Sequence, residues 1–87
     1  MTWTIKFNKK SEKELSKLDK QAQVTIINFL LKLEKKSNPR DTGRALKGEL
    51  GLFWRYRVGD YRIICKIEDE MITVLVLAIG HRKEVYK

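Results

Sequence analysis

The sequence holds one cysteine, Cys65, one proline, Pro39, and one histidine, His81. A single cysteine excludes an intramolecular disulfide scaffold and fits a reducing compartment. One proline and five glycines leave no composition for a Pro- or Gly-rich linker, so the 87 residues are expected to form one domain, 1–87. No set of His, Cys and carboxylate residues has metal-ligand spacing. There is no glycine-rich phosphate loop and no Ser-His-Asp or Cys-His arrangement; Cys65 reads as core. Long apolar runs are also missing. The longest, residues 71–79, is interrupted by Thr73 and falls well short of the roughly 20 residues of a membrane helix. Residues 1–6 contain no apolar signal core. The expectation is a soluble, cytoplasmic protein that needs no cofactor and touches no membrane.

Positive charge is abundant. Lys and Arg number 19 against 11 acids, a net charge of +8. Such a surplus on a small domain points to an anionic partner. Its two parts differ in kind. Residues 1–36 carry nine Lys, no Arg and four acids, a net +5. Residues 37–87 carry four Lys, seven acids and all six arginines, Arg40, Arg44, Arg55, Arg57, Arg62 and Arg82, a net +3. Lysine is a hydrated point charge, whereas arginine offers a planar fork that grips phosphate.

Residues 3–7 alternate with period two and read as a strand. Asn8 can cap a charged surface helix over residues 9–18. Asp19 caps the strongest helical pattern, residues 20–36, where Ala22, Ile26, Ile27, Leu30, Leu31 and Leu33 recur at helical spacing, widened by Val24 and Phe29. Residues 37–43 end it with turn residues, and residues 45–51 read as a connector. Residues 52–58 and 61–68 alternate around Gly59-Asp60, a hairpin signal in which Gly supplies the positive φ of a type II′ turn. Residues 68–70 are a polar turn, residues 71–79 a strand buried on both faces, and residues 80–87 a polar tail. The expected fold is α+β in the order β-α-α-β-β-β, a small antiparallel-rich sheet with both helices on one face.

A two-residue turn pairs Val58 with Tyr61, Arg57 with Arg62 and Arg55 with Ile64. Trp54, Tyr56, Val58, Tyr61, Ile63 and Cys65 then share the core face, and Arg55, Arg57, Arg62 and Ile64 the other. Two arginines directly opposite destabilise a sheet unless an anion, most naturally a phosphate, sits between them. The bland alternative is a solvated basic face. If the last strand runs antiparallel to residues 61–68, Arg82 returns to the Gly59-Asp60 end and joins the set. Tyr86 adds a ring that can stack on an unpaired base or merely pack the tail.

These features together resemble the RelE toxins of the RelE/ParE superfamily of type II toxin–antitoxin systems. The resemblance rests on Leu46-Lys47-Gly48, on Phe53-Trp54-Arg55-Tyr56-Arg57-Val58-Gly59-Asp60-Tyr61-Arg62-Ile63-Ile64 and on Gly80-His81-Arg82-Lys83-Glu84-Val85-Tyr86. It implies a ribosome-dependent, metal-independent endonuclease that cuts mRNA in the ribosomal A site by attack of the ribose 2′-OH. It also implies a RelB-like antitoxin, with operator DNA bound only through the toxin–antitoxin complex. By the same resemblance Arg55 and Arg57 match basic positions that are often lysines, Arg62 a phosphate-gripping arginine, Arg82 an arginine near the scissile phosphate, and Tyr86 a base-stacking tyrosine. Arginine stays protonated, so Arg55 and Arg57 suit charge stabilisation better than general-base work. His81, the only histidine and so the one residue of a type whose unperturbed pKa lies near neutrality, is an additional acid or base candidate or a structural strand-end residue. Two other readings stand beside it: a ParE-like poison of DNA gyrase, which keeps the fold but which Arg55, Arg57, Arg62, Arg82 and Tyr86 together argue against, and a non-catalytic RNA- or ribosome-binding domain that uses the basic face only for affinity.

Overall fold

The structure, a computed structural model, describes residues 2–46 and 52–81. Its elements are β1 (Thr4–Phe7), α1 (Lys9–Ser16), α2 (Lys20–Glu34), β2 (Arg44–Ala45), β3 (Phe53–Val58), β4 (Tyr61–Glu68) and β5 (Thr73–His81). The strands form one sheet in the order β1-β5-β4-β3-β2. β1 runs parallel to β5 and the other neighbours are antiparallel. The α+β class holds, with β2 as an addition that the sequence pattern did not announce.

Both helices begin on side-chain caps. Asn8 Oδ1 accepts from Ser11 N at 2.8 Å, and Asp19 Oδ1 accepts from Ala22 N at 2.8 Å. Each satisfies a backbone donor that the first helical turn leaves open. α2 buries Ala22, Ile26, Leu30 and Leu33, the i, i+4, i+8, i+11 stripe of one helix face. Ile26, Leu30 and Leu33 meet Tyr56, Val58, Ile63, Cys65, Val74, Val76 and Ile79 from the sheet. Three residues expected in this core lie outside it: Val24, Ile27 and Leu31 are 49%, 41% and 50% exposed. α2 carries more apolar residues than one contact face can cover.

The hairpin forms as its alternation predicts. Val58 pairs with Tyr61, Arg57 with Arg62, Tyr56 with Ile63 and Arg55 with Ile64. Gly59 takes φ +58°, the left-handed value that a two-residue hairpin turn of this kind requires. β5 departs from expectation at both ends. Met71 belongs to a short 3-10 turn, and Gly80 and His81 complete the strand. It is not buried on both faces: Val74, Val76 and Ile79 are buried, while Leu75, Leu77 and Ala78 are partly exposed, because the helices cover only one side of the sheet.

β5 also carries a bulge. Cys65 pairs with Val76 but Ile64 pairs with Ala78, leaving Leu77 as the extra residue. α1 supports this break. Ser11 Oγ donates to Val76 O at 2.7 Å, and Ile79 N donates to Glu14 Oε1 at 2.9 Å. The bulge reverses the strand's facing, so Ile79 enters the core while Ala78 and Gly80 lie on the open side.

Candidate nucleic-acid interface

The open side of the sheet is strongly basic. Arg44 pairs with Arg55 across β2 and β3, and Arg57 pairs with Arg62 across β3 and β4. The four side chains share one face. With Thr42 and Gly43 they line a cleft of about 360 Å³. Arg62 is 6% exposed, Arg55 is half-buried, and Arg44 and Arg57 are exposed. Beside these pairs the floor continues through Ile64 and Ala78 in one cross-strand row and Gly80 in the next. Lys66 and Lys6 extend the positive charge one row further, each paired with Leu75 of β5.

Arg44 reaches this face through a tightly held approach. Asn38 Oδ1 caps the 3-10 turn Pro39–Asp41 by accepting from Arg40 N at 2.9 Å. The buried Tyr56 hydroxyl donates to Pro39 O at 2.6 Å, and Trp54 Nε1 donates to Thr42 O at 2.6 Å. Arg40 lies 5.9 Å from the Trp54 ring centroid, a cation–π distance. Gly43 follows with φ +78°, and a Cβ there would stand 2.5 Å from Arg55 O. Only glycine lets the chain turn this close to β3 and enter the sheet at Arg44. Arg44 was one of six arginines in the sequence, and nothing in its neighbourhood signalled a strand; a two-residue strand has no period to detect.

The cleft's chemistry is electrostatic. Guanidinium groups stay charged across the working pH range and bind phosphate oxygens in bidentate fashion, but they do not take up protons. Two like-charged cross-strand pairs side by side oppose sheet formation, and a polyanion laid across them relieves that repulsion. Burial pushes the Tyr56 phenol well above its ordinary value, with Cys65 adding to the shift and Arg40 opposing it. It therefore remains a neutral donor to Pro39. Burial likewise pushes the Cys65 thiol up, which leaves a core thiol rather than a nucleophile. Among the described residues, no three His, Cys, Asp or Glu side chains converge as a metal site.

The structure brings Arg55, Arg57 and Arg62 together and adds Arg44. It does not bring His81 to them. The His81 ring meets Tyr61 edge-on at 5.8 Å and lines a separate cleft with Glu14, Lys17 and Leu18 on the helix side. Arg82 and Tyr86 lie outside the described residues. The condition set for Arg82 is met at the neighbouring position, since His81 pairs with Tyr61 at the Gly59-Asp60 end of the hairpin.

This small sheet with two helices behind it is the fold of a class of known toxins. Residues 5–86 match the family model described as the ParE toxin of the type II toxin–antitoxin system parDE. The chain belongs to this RelE/ParE superfamily. Among individual relatives, Toxin RelG of Mycobacterium tuberculosis is 29% identical over 87 residues, spanning 100% of this chain and 99% of RelG. The toxin–antitoxin complex RelBE2 of the same organism contains a chain that superposes with TM-score 0.82 at 29% identity, covering 94% of this chain and 100% of that one. In the archaeal RelE–RelB complex of Pyrococcus horikoshii the corresponding values are 0.75, 27%, 97% and 99%.

Proposed function

We propose that this chain is the toxin of a type II toxin–antitoxin pair and acts in the cytoplasm as a metal-independent endoribonuclease on mRNA in the ribosomal A site. The ribose 2′-oxygen attacks the adjacent phosphorus, and the P–O5′ bond breaks. The 2′-hydroxyl gives up its proton and the departing 5′-oxygen gains one, so the products are a 2′,3′-cyclic phosphate and a 5′-hydroxyl. The carrying observation is the Arg57–Arg62 pair that lines the cleft. Guanidinium donors fixed on neighbouring strands are suited to stabilise the charge that builds on the phosphorane oxygens. Arg55 adds charge from the next row, Arg82 is assigned to the scissile phosphate, and Tyr86 to stacking on the substrate base.

A RelB-like antitoxin silences the toxin in this reading, and the pair binds operator DNA. Relatives solved as RelB–RelE complexes support such a partner. An acidic segment suits a chain of net charge +8. The half-exposed Ile27 and Leu31 line an apolar cleft of about 240 Å³ between β1, α1 and α2, which offers that partner a surface to bury.

The test is to add the purified protein to translating ribosomes and map transcript ends. The expected result is cuts within the coding region whose upstream fragments end in a cyclic phosphate. Intact transcripts with blocked DNA supercoiling would instead establish the gyrase-directed activity that the ParE family name suggests. Ribosome binding without cleavage would leave a non-catalytic binding domain.

A further inference from the structure

We propose that Glu14 is a positioning residue for cleavage. Through the backbone N–H of Ile79 it holds the last residues of β5 in place beside Arg62, at the point from which the chain continues to Arg82. The proposal rests on the nuclease reading above, and Glu14 itself touches no substrate in it. Its basis is an unequal pair of strands. β1 stops at Phe7, opposite Val76, whereas β5 runs on to His81. From Leu77 onward β5 keeps β4 on one side, but β1 no longer flanks its other edge. α1 takes over that edge. Asn8 N and Ser11 Oγ both donate to Val76 O, at 3.2 and 2.7 Å, and Glu14 Oε1 accepts from Ile79 N at 2.9 Å.

The bond is matched to the strand's irregularity. Adjacent strand residues turn their backbone groups to opposite edges, so Val76 and Ile79, three apart, would face opposite ways in a regular strand. The bulge at Leu77 turns both toward α1. On the helix, Ser11 and Glu14 are also three apart and share a face. Three residues advance an α-helix about 4.5 Å but a strand up to about 10 Å. The short serine therefore serves the near carbonyl, and the longer glutamate arm reaches the far amide. An aspartate side chain would be one methylene short. What depends on this bond lies across the sheet. Ile79 is 2% exposed, in the core, and the next residue, Gly80, pairs with Arg62 on the open side. Glu14 and Ile79 also line the helix-side cleft of about 420 Å³, so solvent can take over the Ile79 N–H when the carboxylate is removed. The loss then falls on the placement of the strand end more than on stability.

The test uses the full chain in excess over translating ribosomes. The cleavage rate at saturation and the protein concentration that gives half of it are read separately. Glu14→Asp and Glu14→Ala are expected to lower the saturating rate about tenfold or more. The half-saturating concentration should stay within about twofold of wild type. Glu14→Gln should cleave within about threefold of wild type, because its amide oxygen has the same reach and accepts the same bond. Amide hydrogen exchange reads the bond itself. The Ile79 N–H should exchange faster in the first two variants and at the wild-type rate in the third. Each variant should melt within about 8 °C of wild type. Wild-type cleavage by both Glu14→Asp and Glu14→Ala would overturn the role and leave the nuclease reading standing. A loss in Glu14→Gln equal to that in Glu14→Ala would also overturn it, because charge and not the bond would then matter. A defect confined to the half-saturating concentration would overturn it too, making α1 a ribosome contact instead. Transcripts left intact by the wild-type protein would remove the nuclease reading and this role together.

Discussion

Arg40 and Asp69 face each other as a two-point fork, with Nη1 2.7 Å from Oδ1 and Nη2 2.9 Å from Oδ2. The pair ties the turn that leads into β2 to the turn between β4 and β5. The hydrogen bond to Arg40 holds the Asp69 carboxyl below its ordinary range and raises the guanidinium. For an acid whose folded pKa is depressed, the stabilisation is present above the unfolded value, about 3.9. It is lost as pH falls through the folded value. The Asp69 side chain is 57% exposed, which limits the pair to about 1 kcal/mol or less. Asp69→Asn should therefore melt slightly lower than wild type near neutrality, and the gap should close below about pH 4. Melting curves across that range check it. A gap that widened on acidification would contradict the assignment.

Gly43→Ala should be the most damaging substitution near the cleft. The new Cβ would meet Arg55 O at 2.5 Å at a backbone angle of φ +78°, and backbone cannot rotate away as a side chain can. A loss of about 1–3 kcal/mol in denaturant unfolding is expected. Arg44 should lose its pairing with Arg55, and RNA binding should fall with it.

Arg57→Ala should separate chemistry from stability. Arg57 is exposed and stands opposite Arg62, so its removal should leave the melt no lower than wild type while cleavage falls about 100-fold or more. Arg82→Ala is expected to abolish toxicity in a protein that still folds. Full toxicity in either folded variant would take that arginine out of the reaction.

His81→Gln should leave cleavage within about threefold of wild type, below the tenfold-or-greater contribution of a general acid or base. The ring packs against Tyr61 on the helix side, across the sheet from Arg57 and Arg62. A loss of tenfold or more in a folded variant would return His81 to the catalytic set.

Much of this arrangement was legible beforehand, because a two-residue turn and strict alternation determine a hairpin's register. The Arg57–Arg62 pairing and the facing of Tyr56 and Cys65 follow from Gly59-Asp60 alone. Arg44 was not legible, because β2 is held by contacts from residues ten or more positions away in sequence, Trp54 and Tyr56, and has no period of its own. Nor was the exposure of Val24, Ile27 and Leu31. Helical spacing shows that apolar residues share a face, but which face meets the sheet is decided by Tyr56, Ile63 and Val76, not by α2. The bulge at Leu77 was hidden for a related reason. A run of Val, Leu and Ile looks alike whether or not its facing reverses.

That bulge gives the molecule an unequal tolerance to genetic change. Point substitutions along β5 alter one contact each. Inserting one residue after Ala78 would instead exchange the two sides for residues 79–81, turning Ile79 out to solvent and driving Gly80 inward. Glu14 of α1, which now accepts from Ile79 N beyond the break, would lose its partner in the same event. The spacing of residues along this strand is thus under tighter constraint than their identities, and the helix that enforces it lies on the far side of the sheet from the arginines it serves.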